Sequence, residues 1–262
     1  MAELKRAGLG LAGVSYDAVP ILADFSARRG ITFPLLSDPG SLVIKTYGIL
    51  NTTVPATNQQ QYGIPFPGTF MLDKAGVVTS RFFEQAYKER TTMSTVMVRL
   101  GQSTSARAIN VKASYLELTT YLTDEVAAPG THFSVVLDVK PQSKAHVYAP
   151  GVAGYKPIAL RIDPQPGLVL RNAQFPSPED YFFAPLKEHV AVYSKPFRVV
   201  QDLTIDPSPQ AATALAGATS MTIKGVLDYQ ACNDRECFLP QSIPLTWTVS
   251  LKALDRERAR QP

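Results

Sequence analysis

The chain has 262 residues, of which 45% are hydrophobic and 18% are charged, so it can form two ordinary domains and is not disordered. Its net charge of +4 comes from interspersed basic and acidic residues, which argues against nucleic-acid binding. The sequence has no apolar run of the roughly 18 residues that a membrane helix needs, and its first residues lack the apolar core of a signal peptide.

Residues 1–101 alternate between strand and helix patterns. Residues 9–17 are a short, mostly apolar run, which is typical of a buried parallel strand. Asp17 can cap a helix over residues 18–29, and Gly30 can end that helix. The first part of the chain is therefore predicted to be an α/β domain.

The rest of this first part continues the alternation. Residues 38–48 predict a second short helix, and residues 68–83 predict a hairpin with a Lys-Ala-Gly turn. A last helix presents one apolar face at helical spacing, formed by Met93, Val96, Met97 and Leu100.

Residues 102–112 are small, polar and aperiodic, so they are predicted to be a linker. From residue 113 to residue 255 apolar residues alternate with polar ones, and turn residues separate the runs. Many short strands of this kind indicate an all-β, immunoglobulin-like sandwich. The last residues, 256–262, form a charged tail.

Residues 13–49 (GVSYDAVPILADFSARRGITFPLLSDPGSLVIKTYGI) and 65–78 (PFPGTFMLDKAGVV) resemble the redoxin group of peroxiredoxin and thioredoxin-like proteins. The resemblance implies an incomplete thioredoxin-like fold, because the central strand and the catalytic cysteine of that family precede its counterpart of residues 9–15. The chain is therefore expected to be a fragment of a longer redoxin-type antioxidant protein. Pro67 stands where thioredoxin-like proteins have a cis-proline, although an ordinary trans turn proline fits the sequence as well.

The missing central strand has a consequence for pairing. In a thioredoxin fold the strand matching residues 9–15 is expected to pair only with that central strand, and the 69–83 hairpin lies on its other side. We therefore expect one of three outcomes, namely an open slot in the sheet, direct pairing of residues 9–15 with 69–73, or a strand supplied by another chain.

Peroxide reduction needs a thiolate of lowered pKa. The chain has two cysteines, Cys232 and Cys237, and both follow the redoxin-like part, which therefore cannot act as a peroxidase by itself. The segment YQACNDRECFLP (229–240) reads as a tight turn between two antiparallel strands, which would place the cysteines within bridging distance. A redox-active pair, a structural disulfide and two unpaired thiols all remain open. A metal site is disfavoured because the chain's three histidines, His132, His146 and His189, are scattered.

The second half resembles the amino-terminal, extracytoplasmic domain of the thiol:disulfide interchange protein DsbD, through YQACNDRECFLP, AHVYAPG (145–151) and SPEDYFFAPLKEHVAVY. The resemblance implies a redox-active Cys-x4-Cys pair in a bacterial thiol:disulfide oxidoreductase, although the best-known member of that family spaces its cysteines one residue further apart. It also implies a thioredoxin-like or membrane electron donor, an oxidised protein substrate and an extracytoplasmic location. No cofactor is expected. The alternative is a non-enzymatic binding module with a structural disulfide.

The same resemblance implies which residues surround the cysteines. His146 and Tyr148 share one face of their strand and would line the site. Phe182 and Phe183, in a loop over 176–188, would form an aromatic flap over the pair. Tyr229 and Pro240, at the two ends of the cysteine segment, complete the expected site.

Overall fold

The computed structural model describes residues 2–58, 61–83, 89–102, 108–183 and 187–253. The chain divides into two compact units, the first extending to Arg90 and the second spanning Thr91–Ala253. The predicted charged tail, residues 256–262, lies outside the described residues.

The first unit contains short helices and strands in alternation, as the sequence predicts. They are α1 Ala2–Arg6, β1 Gly13–Ser15, α2 Val19–Arg29, β2 Leu35–Ser37, α3 Leu42–Thr46, β3 Gly68–Leu72 and β4 Val78–Phe83. Gly30 ends α2 in a left-handed conformation (φ 60°), as predicted for a C-terminal glycine. The helix begins after Ala18 rather than Asp17, because the Asp17 carboxylate instead accepts a hydrogen bond from the hydroxyl of Ser15 at 2.6 Å.

The strands of the first unit form two separate pairs. β1 pairs with β2 in parallel, with Gly13 opposite Leu35, and β3 pairs with β4 in antiparallel. The expectation that residues 9–15 pair only with a missing strand is therefore wrong, because residues 35–37 already supply a parallel partner. The described strands β1 and β3 belong to different sheets, so the direct pairing of residues 9–15 with 69–73, one of the three expected outcomes, is not observed.

Pro67 immediately precedes β3. The described residues contain no cis peptide bond, so the cis-proline prediction is wrong and the alternative of a trans proline holds. The backbone here is already held by an isolated bridge between Leu50 and Pro65 and by a hydrogen bond from Phe66 N to Ile49 O at 2.7 Å.

The second unit is dominated by strands. Its elements, together with the two-residue strand that leads into it, are β5 Arg90–Thr91, α4 Met93–Arg99, β6 Ile109–Val111, β7 Leu116–Leu122, β8 Val126–Ala127, β9 Thr131–Pro141, β10 His146–Tyr148, β11 Ala159–Ile162, β12 Leu168–Gln174, β13 Glu179–Phe183, β14 Glu188–Tyr193, β15 Phe197–Ile205, α5 Pro209–Ala214, β16 Ser220–Tyr229, β17 Ala231–Cys232 and β18 Gln241–Leu251.

Two of its sheets pack face to face as a β-sandwich. One has the strand order β12-β15-β9-β7-β6 and the other the order β11-β16-β18-β8. Phe133 and Leu137 of β9 and Ile223 of β16 belong to one core cluster and are fully buried. Trp247 of β18 donates its indole N–H to the hydroxyl of Thr120 on β7 at 3.0 Å, which joins the two sheets. The prediction of a sandwich from alternating apolar residues is confirmed.

The predicted domain boundary at 101–113 differs from the observed one. Helix α4 lies in the second unit, where its apolar residues Val96 and Met97 are buried and Arg99 pairs with the buried carboxylate of Asp202 on β15. Of the predicted linker 102–112, residues 103–107 lie outside the described residues, and Ile109–Val111 is strand β6, paired with β7. The α4 residue that packs with sandwich residues is Val98, in a cluster with Tyr121, Val136 and Val200, whereas Leu100 of the predicted face is 38% exposed.

A third sheet in the second unit contains Cys232, the predicted site residues His146 and Tyr148, and the predicted flap. Its order is β13-β14-β10-β17, and all of its pairs are antiparallel. The register places His146 opposite Cys232 and Val147 opposite both Ala231 and Tyr193. Residues that are far apart in sequence are therefore brought together at one end of the unit.

Candidate functional site

The cysteine hairpin, residues 232–237, is a single tight turn. Asn233 organises it, since its side-chain oxygen accepts hydrogen bonds from the backbone N–H groups of Arg235 (2.8 Å) and Glu236 (2.9 Å). Its own backbone N–H donates to the carbonyl of Glu236 at 2.9 Å. An asparagine that bonds the backbone two and three residues ahead is a strong turn former, which explains why the chain reverses here.

The two cysteines form a disulfide with an S–S distance of 2.07 Å and a Cα–Cα distance of 4.0 Å. The prediction that they face each other across a hairpin end at bonding distance is confirmed. The two residues differ in environment, because Cys232 is 1% exposed and Cys237 is exposed. A thiolate from outside can therefore approach Cys237 but not Cys232.

Beyond the turn, the second arm of the hairpin is anchored by an aromatic stack. Phe238 donates its backbone N–H to the carbonyl of Ala231 at 2.9 Å, and its ring stacks on Tyr115 with centroids 3.7 Å apart. These contacts fix Cys237 beside β17, although its side chain is open to solvent.

Strand β10 supplies two side chains beside the disulfide, as predicted from the sequence. His146 is the cross-strand neighbour of Cys232, and the hydroxyl of Tyr148 lies 3.5 Å from the Sγ of Cys237. Both are buried, with 4% exposure each. Tyr148, Val192 and Cys232 form a small apolar cluster of their own, so one side of the disulfide is shielded from water.

The burial of these two side chains shifts their titration. Burial lowers the pKa of His146, against an opposing attraction from Asp234, so the imidazole is neutral near pH 7. Burial also raises the pKa of Tyr148, and its neighbours Tyr155 and Glu188 add to this effect. The site therefore presents a neutral imidazole and a protonated phenol to the sulfurs.

Strand β13 reaches over the hairpin through Tyr181, a residue that the sequence reasoning missed. Its hydroxyl donates to Asp234 Oδ1 at 2.7 Å, and its ring lies 4.5 Å from the ring of His146. The hydrogen bond to Asp234, ahead of burial, raises the pKa of Tyr181. The sequence could have indicated Tyr181, because in the segment EDYFF it directly precedes Phe182 and Phe183, the two predicted flap residues.

The predicted flap residues point in different directions. Phe182 is 52% exposed and its ring lies 5.0 Å from that of His189, on the opposite face of the hairpin from Tyr181. Successive residues of a strand alternate between its faces, so choosing Phe182 was wrong. Phe183 shares the face of Tyr181, with ring centroids 6.5 Å apart. Part of the predicted loop, residues 184–186, lies outside the described residues.

The two residues expected at the ends of the cysteine segment do not line the disulfide. Tyr229 is 0% exposed, belongs to the main sandwich core and donates its hydroxyl to the carbonyl of Ser114 at 2.7 Å. It is the last of the core-facing residues of β16, an alternation that the sequence already contains. Pro240 is exposed and follows the equally exposed Leu239.

Two further residues were missed and extend the site away from the sulfurs. The ring of Tyr155 stacks on that of Tyr148 with centroids 4.1 Å apart and an interplanar angle of 19°. The hydroxyl of Tyr155 donates to Glu188 Oε1 at the start of β14. Tyr155 lies in a loop whose sequence, GVAGYKP, carries no pattern that would place it beside a cysteine.

The described residues contain no group of three or more His, Cys, Asp or Glu side chains that could hold a metal ion. A surface cavity of about 510 Å³ is lined by residues of β7, β9 and β15, such as Glu117, Asp138 and Arg198, and by neither cysteine. The candidate site is thus a disulfide with one exposed cysteine in a hairpin turn, which another protein's thiol can contact.

An exposed disulfide backed by buried aromatic side chains defines the class of site, and comparison with known families is in agreement. Residues 1–81 match the AhpC/TSA family, and residues 119–246 match the family of the thiol:disulfide interchange protein DsbD, N-terminal. Both resemblances drawn from the sequence are confirmed. Each of the two matched ranges is less than half of the chain.

The curated relatives match the redoxin-like part. A protein of Mycobacterium tuberculosis named as a peroxiredoxin is 34% identical over 82 residues, which are 30% of this chain and 48% of that protein. The peroxiredoxin bcp of Coxiella burnetii is 28% identical over 83 residues, 30% of this chain and 51% of that protein. The chain thus spans about half the length of the curated relatives it matches.

Among solved structures, the N-terminal periplasmic domain of ScsB from Proteus mirabilis matches with 14% identity and a TM-score of 0.36, covering 53% of this chain and 49% of that one. The reduced N-terminal domain of DsbD from Neisseria meningitidis matches with 19% identity and a TM-score of 0.29, covering 45% of this chain and 81% of that one. Within the described part of this chain, the helices are all too short or too polar to span a membrane.

Proposed function

We propose that the chain is a thiol:disulfide oxidoreductase unit that relays electrons through Cys232 and Cys237 between a reductant and an oxidised protein. The observation that carries this proposal is the unequal exposure of the two cysteine residues in a disulfide closed by a single turn. The matches to a redoxin family and to a thiol:disulfide interchange family support the same chemistry.

In the proposed exchange the thiolate of a reduced partner protein attacks the Sγ of Cys237. A bond forms between the two proteins, the Cys232–Cys237 bond breaks, and Cys232 leaves as a thiolate that takes up a proton. The second thiol of the partner, as its thiolate, then attacks the mixed disulfide, and Cys237 is released and protonated. Two electrons and two protons have then passed to the pair, and the partner has become a disulfide.

The reduced pair completes the relay in the reverse sense. The Cys237 thiolate attacks a disulfide of the oxidised substrate, and Cys232, once deprotonated, resolves the mixed disulfide. A role in thiol exchange explains this disulfide better than a structural role, because closing so short a loop contributes only about 2 kcal/mol to stability. An extracytoplasmic location, which the resemblance to DsbD implies, would preserve the oxidised form.

The redoxin-like part has a different place in the proposal. It lacks a cysteine, so any peroxide reduction in which the chain takes part draws on a thiolate from another segment or another polypeptide. We propose that this part joins the relay to such an antioxidant centre, with a thioredoxin-like protein or a membrane electron donor as the source of electrons.

The decisive experiment compares the two single variants, Cys232→Ala and Cys237→Ala. Each is incubated with a thioredoxin-type protein that retains only its attacking cysteine and is activated as a mixed disulfide with a chromogenic thiol. Cys232→Ala retains the exposed sulfur and is expected to form the protein–protein disulfide at least about tenfold faster than Cys237→Ala, because thiol exchange requires access.

A second measurement separates exchange from a staple. The reduction potential of the wild-type pair, measured by equilibration with glutathione, is expected to lie above about −300 mV, in the range of exchanging disulfides. A value below that limit, or equal adduct formation by the two variants, would reject the relay in favour of a binding module with a structural disulfide.

A further inference from the structure

The residue two positions after Cys237 is a strongly exposed leucine. Leu239 is 81% exposed, more than any other large hydrophobic side chain among the described residues. Isolated exposed leucines are common on protein surfaces, so exposure alone does not indicate a function. The position of Leu239 distinguishes it. Consecutive Cα atoms are about 3.8 Å apart, so its Cα lies no more than about 7.6 Å from that of the exposed Cys237.

The backbone that carries Leu239 is held in place by hydrogen bonds. Phe238 donates its N–H to the carbonyl of Ala231 at 2.9 Å, and the carbonyl of Phe238 accepts from the side-chain amide of Gln230 at 2.9 Å. The carbonyl of Leu239 accepts from the side-chain amide of Gln241 at 3.0 Å. Since the segment is already ordered, a partner that binds the leucine side chain does not have to order its backbone.

The ring of Phe238 is supported by Tyr115, which has an unusual backbone conformation. Tyr115 has a φ of 66°, in the left-handed region that residues other than glycine rarely adopt. From this position its ring stacks on that of Phe238, with centroids 3.7 Å apart and an interplanar angle of 5°. The adjacent carbonyl of Ser114 accepts a hydrogen bond from the hydroxyl of Tyr229 at 2.7 Å. The surrounding structure thus maintains a costly conformation that orders the residue directly after Cys237.

We propose that Leu239 is the docking point for the partner in thiol exchange, and that it selects proteins whose reactive cysteine is bordered by apolar side chains. The inference rests on the proposed function, in which a sulfur of the partner bonds to Cys237. The α-carbons of the two bonded cysteines then lie roughly 5.5–6 Å apart, so the partner's surface also covers Leu239. An apolar partner surface buries the leucine side chain, which is favourable. A polar surface gives up hydrogen bonds to water against a side chain that offers none.

The residues on the other side of Cys237 differ in chemistry. Asp234, Arg235 and Glu236 are all charged and exposed. Asp234 already accepts a hydrogen bond from the hydroxyl of Tyr181 at 2.7 Å. An apolar contact beside Cys237 is therefore made on the side of residue 239, which gives the docking a direction along the chain.

The test compares two capped pentapeptides of equal charge, in which the cysteine stands between pairs of leucines or between pairs of serines. Each peptide sulfur is activated as a disulfide with the chromogenic thiol thionitrobenzoate. In the fully reduced wild-type chain the thiolate of Cys237 attacks the peptide sulfur, a peptide–Cys237 disulfide forms, and thionitrobenzoate leaves with the electron pair of the broken bond. The initial rate of its release is measured with each peptide.

The expected result is a preference for the leucine peptide that depends on Leu239. The ratio of the leucine-peptide rate to the serine-peptide rate is expected to be at least about fivefold higher in the wild-type chain than in Leu239→Ser, because part of the leucine side chain is buried in the complex that precedes attack. The rate with the serine peptide is expected to be the same in both chains. That equality shows that the substitution leaves Cys237 equally reactive.

Val126→Ser is the matched control. Val126 is half-exposed and pairs with Ser250 at one end of β18, whereas Leu239 precedes the other end of that strand. This variant is expected to keep the wild-type ratio. Leu239→Met is expected to keep it as well, because methionine is apolar and of similar volume.

A ratio in Leu239→Ser equal to that of the wild-type chain would overturn the proposal. An equal loss of the ratio in Val126→Ser would also overturn it, since that pattern is a general effect of surface hydrophobicity. The absolute rate of thionitrobenzoate release reports whether Cys237 exchanges at all. Failure of the proposed relay is therefore distinct from a lack of selection by Leu239.

Discussion

The two units of the chain bury their apolar side chains to very different extents. In the second unit Phe133, Leu137 and Ile223 are each 0% exposed. In the first unit Leu36 and Leu72, although they lie in strands, are 51% and 47% exposed. Both units contain short strands with apolar residues, so the difference arises from how many strands share a sheet and not from composition.

Sheet size explains the contrast. In the second unit β9 and β15 have neighbours on both sides, and a second sheet covers them. In the first unit β1 and β2 form one pair and β3 and β4 another, so each of these strands is an edge. A two-stranded sheet is marginal by itself, and its unpaired backbone groups depend on water. Within the described residues, the strands of the redoxin-like unit therefore belong to sheets of two strands, whereas those of the second unit share larger sheets.

Hydrogen exchange of the intact chain is the strongest test of this contrast. Amides in the middle of β9 and β15 are expected to exchange at least about a thousandfold more slowly than those of β1 and β3, a difference of about 4 kcal/mol in opening free energy. The measurement is native-state exchange followed by peptide mass spectrometry.

Strand β13 is the control for edge position, because it is an edge strand inside the well-packed unit. It is expected to exchange at an intermediate rate, which would separate the effect of being an edge from the effect of the unit. Protection of β1 and β3 equal to that of β9 would contradict the comparison and show that the first unit is consolidated in solution.

A matched pair of leucine substitutions sharpens the comparison at single side chains. Leu137→Ala removes a fully buried side chain from the sandwich core and is expected to lower the free energy of unfolding by about 2–5 kcal/mol. Leu36→Ala makes the same change at a half-exposed strand position and is expected to cost no more than about 0.5 kcal/mol. Chemical unfolding followed by far-ultraviolet circular dichroism measures both.

Leu239→Ala, at a position 81% exposed in the second unit, is the control for exposure within that unit. It is expected to behave like Leu36→Ala. If Leu36→Ala instead costs 2 kcal/mol or more, the side chain is buried in solution, and the first unit packs more fully than its exposed residues indicate.

The features that the sequence could predict are those determined by residues close together in the chain. Period-two alternation identified the sandwich strands, and the four polar residues between Cys232 and Cys237 identified the turn. His146 and Tyr148 share one strand face, but it is the resemblance of AHVYAPG to the DsbD family that implied their place beside the cysteines.

The features that escaped prediction depend on pairing between distant segments. Tyr181 and Glu188 reach the site through the register of β13, β14 and β10, and Tyr155 reaches it through the loop after β10, none of which a local pattern records. Choosing Phe182 over Tyr181 was an error of strand phase, which a single-residue shift reverses. Helix α4 was placed in the wrong unit because an amphipathic face shows that a helix packs but not against what.

The smallest expected effect uses the fact that the three histidines of the chain, His132, His146 and His189, all belong to the second unit. Burial lowers the pKa of His146 in the folded chain, so its unfolded form binds a proton more readily. The stability that depends on the neutral imidazole is then fully present above the unfolded pKa of about 6.5 and is lost as the pH falls through the folded value. The free-energy cost of His146→Gln is expected to shrink between pH 7.5 and pH 5, by on the order of 1 kcal/mol or less.

The fluorescence of Trp247, the chain's single tryptophan, follows unfolding of this unit alone. His189→Gln is the control, because that ring is exposed and bonded to Asp180. A cost of His146→Gln that stays constant or grows on acidification would show that the imidazole is protonated in the folded site.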